Sequence, residues 1–214
     1  HIFHDSAMSG GGRFRPPMMN PFKQFQTGPV AAPPRPSPIQ VSLSITYLQA
    51  FQGSNLPIEI ERVLYIGEMK IHEEETLYVS IPPGIDDNEI IVVPEKGDIN
   101  NYNIKGDVKV IVKLIDDPVF TRKGLDLIFK RTISLKESLC GFAFEINHLN
   151  GKVLSLNNKT NRAVVSPRFQ RSVPNLGFER GNSKGSLVIE FDVKFPDKLS
   201  EEQIQILERV LHDT

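Results

Sequence analysis

The sequence predicts a mainly β fold of two small β-rich domains in tandem, each carrying one short helix, followed by a C-terminal helix. The main observation is a repeat: residues 45–53 and 133–141 each read as a strand end, a short amphipathic helix and a glycine stop, 88 residues apart. In both repeats a Val-Pro turn and then an alternating strand that begins with Lys-Gly follow. The turn begins at Val93 in the first repeat and at Val173 in the second, and the strand begins at Lys105 and at Lys184. This period is too long for a solenoid unit and indicates a duplicated domain. Two such domains in series favour a modular binding arm over a single catalytic pocket.

Composition excludes several function classes. With 214 residues and a net charge of −1, the chain has no global attraction to nucleic acid or to anionic membranes. Its longest apolar runs are far shorter than the roughly 20 residues of a membrane helix. The single cysteine, Cys140, excludes an internal disulfide and a cysteine zinc site, and indicates a reducing compartment. We therefore expect a cytoplasmic protein without nucleic-acid or membrane partners.

The beginning of the chain differs in composition from the rest. Gly, Pro, Met and Phe dominate it without helical or strand periodicity, so residues 1–37 are predicted to be a disordered linker. From Ile39 onward, apolar and polar residues alternate over 39–45, which is the pattern of a half-buried strand.

The first β domain is predicted over residues 38–116. Its short helix directs Tyr47, Leu48 and Phe51 inward. Gly53 then ends this helix as a left-handed stop. Further strands are predicted at 57–65, 74–81, 89–93 and 107–115.

The second β domain is predicted over residues 117–196. Its strands are placed at 126–133, 142–148, 152–156 and 186–195. The segment 157–184 is polar and rich in Arg, Asn, Ser and Gly, so it is predicted to be a long loop.

A helix is predicted within residues 197–214. Ser200, with Gln203 three residues later, forms a capping-box pattern. One face of this helix is apolar and contains Ile204, Leu207, Val210 and Leu211. Because a helix of about 13 residues is marginal alone in water, this face needs a partner, either its own domain or a second chain.

Catalytic and metal-binding constellations are not found. The five histidines lack metal-ligand spacing and are expected on the surface. The acidic run at 73–75 reads as a solvated strand edge, and Cys140 as a buried structural thiol. Arg122 and Lys123 indicate either an inter-domain clamp or a ligand site. We therefore expect no enzyme activity, no metal and no cofactor.

The apolar positions of the first two strands allow two interpretations. Val41 and Leu43 share one face of the first strand, and Ile58 and Ile60 share one face of the second. In a thin β domain they form either ordinary core or a shallow groove. Such a groove would accept extended apolar peptide, partly by adding a strand to a sheet edge.

Several motifs along the chain carry a resemblance to a known family. They read Ile-Gln-Val-Ser-Leu-Ser-Ile at 39–45, Ile-Pro-Pro-Gly-Ile-Asp at 81–86, Asp-Pro-Val-Phe-Thr-Arg-Lys-Gly-Leu-Asp-Leu at 117–127, Ile-Ser-Leu-Lys-Glu-Ser-Leu-Cys-Gly at 133–141, Leu-Asn-Gly at 149–151, Lys-Gly-Ser-Leu-Val-Ile-Glu-Phe at 184–191 and Phe-Pro at 195–196. In this order and spacing, residues 38–212 resemble the C-terminal half of the DnaJ (J-domain co-chaperone) family.

The resemblance implies two β-sandwich-like client-binding domains and a C-terminal dimerisation helix. It points to the subclass without zinc-binding cysteine repeats, because Cys140 stands alone. The His-Pro-Asp motif of the J-domain is not among these residues, so this chain by itself is not expected to stimulate ATP hydrolysis by a DnaK-type partner. The implied function is binding unfolded polypeptide clients for delivery to a DnaK-type ATPase. The alternative is a structural or assembly protein that uses the same scaffold without client transfer.

The resemblance also implies specific residues. The client groove falls on Val41, Leu43, Ile58, Ile60 and Phe120, and the homodimer contact on Ile204, Leu207, Val210 and Leu211. Family members carry lysines at the start of the second strand that bind the partner chaperone's acidic tail. Here those positions read Ser54, Asn55, Leu56, Pro57 and Glu59. We expect no tail binding at this site, or another geometry that uses Arg62.

Overall fold

The computed structural model describes residues 32–161 and 163–211. The predicted linker over residues 1–37 therefore lies almost wholly outside the described residues. By its internal contacts the chain divides into His1–Pro34 and Arg35–Thr214, and the second unit contains all the helices and strands given below.

Strands and short helices alternate in the same way in both repeats. The first repeat contains β1 (Ile39–Ile45), α1 (Tyr47–Gln52), β2 (Ser54–Ile66), β3 (Met69–Ile81), β4 (Ile90–Val93) and β5 (Val108–Leu114). The second contains β6 (Phe120–Lys123), β7 (Asp126–Ser134), α2 (Leu135–Cys140), β8 (Ala143–Asn147), β9 (Val153–Asn157), β10 (Gln170–Val173), β11 (Glu179–Arg180), β12 (Ser183–Lys184) and β13 (Leu187–Lys194). The helix α3 (Glu201–Val210) follows.

The sheet topology is duplicated. In the first repeat, β5 pairs in parallel with β1 and antiparallel with β4. In the second, β13 pairs in parallel with β7 and antiparallel with β10, and β6 adds to the other edge of β7. A hairpin follows each short helix, β2–β3 and β8–β9. The prediction of a mainly β fold with two small β-sandwich-like domains is therefore confirmed.

The core is built from alternate residues of these strands. In the first repeat Ile45, Val110 and Ile58 are buried, and Leu127 and Ile189 are buried in the second. Because side chains alternate across a strand, the residues between them lie on the outer face. Aliphatic burial at about 25 cal/mol per Å² of apolar surface is the main stabilising term in such a sheet pair.

Both short helices begin with the same side-chain cap. Thr46 Oγ1 accepts from the N–H of Gln49 at 3.2 Å, and Ser134 Oγ accepts from the N–H of Glu137 at 3.2 Å. The Gln49 and Glu137 side chains accept in return from the backbone N–H of the cap residue. These two capping boxes satisfy donors that a six-residue helix would otherwise leave unpaired.

The first short helix buries a different set of residues from the one predicted. Tyr47 is buried and Phe51 packs against the core, but Leu48 is 45% exposed. Ala50 is buried instead, because positions i, i+3 and i+4 share a helix face. Gly53 follows the helix with φ of +75° and ψ of 157°, so the predicted stop has a positive φ but an extended ψ instead of the left-handed helical conformation.

The predicted loop over 157–184 is partly wrong. It contains β10, β11 and β12, and it contributes Val165 and Phe178 to the core. Strands of two to four residues are too short to show a hydrophobic alternation in the sequence. The same reason explains why β6 was not predicted.

The β2–β3 hairpin is longer than predicted. It extends from Ser54 to Ile81, so the acidic run at 73–75 lies in the middle of β3 instead of at its start. At the outer part of this hairpin both faces are accessible; Tyr65, Ile66 and Met69 are all exposed. Without a buried face, no alternation is imposed on the sequence.

The C-terminal helix is shorter than the predicted 13 residues. Ser200 Oγ accepts from the N–H of Gln203 at 3.2 Å, which confirms the predicted capping box, and the helix ends at Val210. Among the described residues, no helix combines the length and apolar character needed to cross a bilayer.

Candidate functional site

The predicted groove residues lie in two environments. Ile58, Ile60 and Phe120 are 5%, 3% and 3% exposed, so they belong to the core in this conformation. Val41 and Leu43 on β1 are only partly buried against the core. These two side chains are the accessible members of the predicted groove.

Phe120 packs within the second repeat. Its ring lies 5.9 Å from that of Phe129 and 6.1 Å from that of His148. Its neighbour on β6, Arg122, contacts the first repeat, as described below. Phe120 thus supports the junction between the repeats.

Among residues 32–161 and 163–211, one edge of β2 is open over most of its length. β2 pairs with β3 along its whole length, but on its other side the described residues pair only with its far end. There the N–H of Val63 donates to Asp98 Oδ1 at 2.7 Å, and the C=O of Val63 accepts from Ile99 at 2.9 Å. The N–H of Tyr65 also donates to Ile99, at 3.0 Å. A short segment of the chain therefore already adds to this edge, in parallel orientation.

The backbone groups at the open part of the edge can be assigned by register. Successive residues of a strand direct their N–H and C=O to opposite sides, and the β2–β3 register is continuous from Ser54 to Ile66. Glu59 and Glu61 therefore direct their backbone groups away from β3, as Val63 does. These N–H and C=O groups are free to pair with an added strand.

The buried side of the hairpin contains an ion cluster. Arg62 contacts Glu73 at 2.7 Å and Glu75 at 3.0 Å, and its side chain is 16% exposed. Lys96 donates to Glu75 at 2.7 Å. The hydrogen bond from Lys96, followed by the charge of Arg62, lowers the pKa of Glu75. Arg62, the residue expected to take part in any other geometry of tail binding, is thus already paired with two carboxylates.

The exposed side of the same hairpin is acidic. Glu61 lies directly opposite Glu74 in the ladder, and Glu59 lies on the same face as Glu61. Nδ1 of His72 contacts Glu61. Within the described part of the chain, neither Glu59 nor Glu74 has an ion-pair partner. Like charges directly opposite each other are destabilising, so this face can gain from a cation.

Arg122 clamps the second repeat to the first. Its guanidinium donates to the carbonyl oxygens of Gly84 and Ile85 and to Asp86, and lies 4.0 Å from the centroid of the Phe178 ring. Its side chain is 7% exposed, and this burial lowers the pKa of Arg122, while the charge of Asp86 opposes the shift. Of the two interpretations left open by the sequence, the contacts of Arg122 are those of the clamp.

A second ion pair adds to this junction. Arg180 donates to Glu89 at 2.7 Å, and this hydrogen bond lowers the pKa of Glu89. The backbone approaches closely here: Gly84 has φ of +77°, and a Cβ at that position would collide with the carbonyl oxygen of Glu179. Gly84 is therefore required by both its conformation and its close contact.

Two single-residue predictions are wrong. His148 is 4% exposed, because its ring packs against Phe51 and Phe120 at the junction. Cys140 is exposed, because the residue that α2 buries is Ser138, whose hydroxyl donates to Val165. Neither position has a distinctive sequence pattern around it. In the described residues no group of three or more His, Cys, Asp or Glu could hold a metal ion.

The predicted dimerisation residues divide into two groups. Ile204, Val210 and Leu211 are 42%, 66% and 57% exposed. Leu207 is half-buried and faces an apolar cavity of about 690 Å³ between α2 and α3, which is also lined by Leu135. No residue of α3 is fully buried, so the part of the chain that the structure describes leaves the apolar face of this helix largely uncovered.

Comparisons with known proteins agree with this architecture. The profile of the DnaJ C terminal domain matches residues 39–196, more than half of the chain. DnaJ protein homolog 1 of Allium porrum is 33% identical over 148 residues, covering 68% of this chain and 37% of that protein. Chaperone protein dnaJ 2 of Arabidopsis thaliana is 34% identical, with coverages of 68% and 35%. DnaJ homolog subfamily B member 11 of Canis lupus familiaris is 37% identical over 145 residues, with coverages of 66% and 40%. The chain thus spans between 35 and 40% of the length of these relatives.

Proposed function

Because the chain belongs to the DnaJ C-terminal domain family, we propose that it is the client-binding part of a DnaJ-type co-chaperone. It binds extended apolar segments of unfolded proteins, which the complete protein delivers to a DnaK-type ATPase chaperone. The observation that carries the proposal is the open edge of β2, together with the partly buried apolar side chains of Val41 and Leu43 on β1.

Strand addition to β2 uses the backbone of the client. An extended segment pairs with the free N–H and C=O groups of Glu59 and Glu61, as Ile99 already does beyond them. This mode is independent of the client's sequence, because every residue except proline offers both a backbone donor and an acceptor. Recognition of many unfolded proteins requires this independence.

Apolar side chains supply the remaining selectivity. Ile58 and Ile60 lie on the inner face of β2, and the partly covered Val41 and Leu43 of β1 pack against the same core. The inward-facing side chains of an added strand would extend this apolar face beside β2. A client side chain on this face gains roughly 1.5–3 kcal/mol if it becomes fully buried. Weak binding per site is expected, because ordering the client offsets most of this gain.

Dimerisation would raise the effective affinity. We propose that the exposed residues Ile204, Val210 and Leu211 of α3 are covered by a second copy of the chain. Two linked client sites then act on one polypeptide at high effective concentration. The acidic tail of a DnaK-type chaperone is not placed at the β2 edge in this proposal, because Arg62 is occupied by Glu73 and Glu75.

The test uses proline at the open edge. Glu59→Pro removes the N–H that points away from β3, so it blocks strand addition without removing a ladder hydrogen bond. Pro57 already occupies an equivalent position on the same edge. Glu59→Ala is the matched control, because it removes the same carboxylate and keeps the N–H.

Binding of a neutral, extended apolar peptide is followed by fluorescence anisotropy. We expect Glu59→Pro to weaken it roughly fivefold to tenfold relative to Glu59→Ala, which is the effect of one lost hydrogen bond and a distorted edge. Equal binding by the two variants would place the client site elsewhere. Circular dichroism of both variants checks that the hairpin is retained.

A further inference from the structure

We infer that the β2 edge selects client segments bearing lysine or arginine and disfavours acidic ones. The inference rests on the proposed strand addition and goes beyond it by assigning the charge of the preferred ligand. It is argued from the open edge, from the side chains that flank it and from the charge distribution of the chain.

The edge and the acidic side chains belong to the same residues. Glu59 and Glu61 present free backbone groups at the edge, and their side chains project onto the exposed face of the hairpin. An added strand would lie about 4.8 Å away, and the Cβ atoms of its residues on that face would be about 5 Å from the Cβ atoms of Glu59 and Glu61. A lysine or arginine at alternate client positions would therefore meet Glu59 and Glu61 in turn.

Among the described residues, no Lys or Arg forms an ion pair with Glu59, Glu61 or Glu74, and Lys70 lies farther out on the same face. Arg62 lies on the opposite face and pairs with Glu73 and Glu75, and Lys96 also pairs with Glu75. His72 contacts Glu61. In the described ranges Glu59 and Glu74 have no ion-pair partner, so the exposed face retains negative charge that an incoming cation can neutralise.

The charge of the whole repeat acts in the same direction. Residues 38–116 contain six Lys and Arg against 13 Asp and Glu, whereas residues 117–196 contain 13 Lys and Arg against seven Asp and Glu. The net charge of −1 hides this strongly asymmetric distribution. A negative field around the first repeat speeds the encounter with cationic segments and is screened by salt.

Three extended peptides with the same alternating apolar residues serve as probes. Their intervening residues are lysine, glutamine or glutamate, and binding to the full chain is measured by fluorescence anisotropy at low and high salt. We expect the lysine peptide to bind about tenfold more tightly than the glutamate peptide at low salt, with glutamine between them. High salt should reduce this ratio to about twofold.

Two variants locate the effect. Glu59→Gln with Glu61→Gln should reduce the lysine-to-glutamate ratio to about twofold. Glu145→Gln is the matched control, because Glu145 is an exposed glutamate on β8, the strand that follows α2 as β2 follows α1. This control should keep the full ratio.

The outcomes separate the inference from the proposed function. Equal binding of the three peptides, with weaker binding by Glu59→Pro, would overturn the charge selectivity and leave strand addition in place. A lysine preference that survives Glu59→Gln with Glu61→Gln would also overturn the inference, because it would assign the preference to other residues. Failure of all three peptides to bind would overturn the proposed function and the inference together.

Discussion

Arg122 in the second repeat donates to the carbonyl oxygen of Gly84 in the first, at 2.9 Å. The same guanidinium reaches Asp86 at 2.7 Å and covers the face of Phe178. One buried side chain thus fixes the turn after β3 to β6. This contact explains why Arg35–Thr214 forms one compact unit although its topology is duplicated.

Replacing this side chain is predicted to destabilise the junction. Arg122→Met keeps much of the buried volume but leaves the carbonyl groups of Gly84 and Ile85 without their donor. We expect a loss of about 2–4 kcal/mol in the free energy of unfolding, measured by urea denaturation. Arg35→Met, which removes an exposed pair with Asp107, should cost at most about 1 kcal/mol. Equal effects of the two variants would contradict a special role of Arg122.

The Glu89–Arg180 pair predicts a pH dependence. The pKa of Glu89 is lowered in the folded state, chiefly by the hydrogen bond from Arg180. A lowered pKa means that the pair contributes stability above the unfolded-state pKa of Glu89, and that this contribution is lost as pH falls through the folded-state value. We expect the contribution of this pair to the free energy of unfolding to fall by up to about 1 kcal/mol between neutral pH and a pH of about 3.

Glu89→Gln isolates this contribution. The variant should be less stable than the parent near neutral pH, and the two should converge in acid, as followed by denaturant unfolding at several pH values. A constant difference between the two proteins across the pH range would show that titration of Glu89 is not coupled to folding.

The stability of the protein is also predicted to depend on the hydrogen bonds of the buried His148 ring. Its Nδ1 accepts from the N–H of Asn150 at 3.1 Å, so Nε2 carries the proton and donates to the carbonyl oxygen of Leu176 at 2.8 Å. His148→Phe retains an aromatic ring but leaves both backbone groups unpaired. We expect a loss of about 1–3 kcal/mol by thermal or urea denaturation. His72→Phe, at an exposed position, should change stability by less than about 0.5 kcal/mol.

The proposed role of α3 predicts a change of oligomeric state. Ile204→Asp with Val210→Asp places two charges on the exposed apolar face and should convert dimers to monomers in sedimentation velocity. Glu202→Lys, on an exposed position of the same helix, is the control for a general effect of altered charge and should remain dimeric. A dimer that survives the double substitution would show that α3 is not its contact.

The strand-addition proposal requires the backbone N–H groups of Glu59 and Glu61 to point away from β3 into solvent. If client strands add to the free edge, amide hydrogens of Glu59 and Glu61 should exchange with solvent in the free protein and become protected when the lysine peptide is bound. Hydrogen exchange measured by NMR tests this directly. Val63, whose N–H already donates to Asp98, should be protected in both states.

Much of the fold could be predicted from the chain because its signals are local. The capping boxes at Thr46 and Ser134, the glycine at position 53 and the alternation over 39–45 each need only a few neighbouring residues. The elements that were missed, β6 and β10 to β12, are too short to show such a period. They form because a partner strand offers a free edge: β7 pairs with β6, β13 pairs with β10, and β11 pairs with β12.

The candidate site could be predicted only in part. The apolar character of Val41, Leu43, Ile58 and Ile60 is visible in the sequence, but their accessibility is not. Burial depends on which sheet covers each face, and that is a tertiary property. For the same reason, His148 was expected at the surface and Cys140 in the interior, and both predictions were wrong.

The sequence by itself determined the mainly β class, the duplicated pattern, the helix caps and the family, because each depends on residues close together or on their order. Tertiary structure alone decided that Arg122 is a clamp, that Arg62 is occupied by two glutamates and that Glu59 and Glu61 flank an open strand edge. These facts depend on contacts between residues far apart in the sequence; Arg122 and Gly84, for example, are 38 positions apart. A one-dimensional pattern specifies the periodicity of a strand, but the pairing of its edges and the partners of its charges arise when the strands pack together.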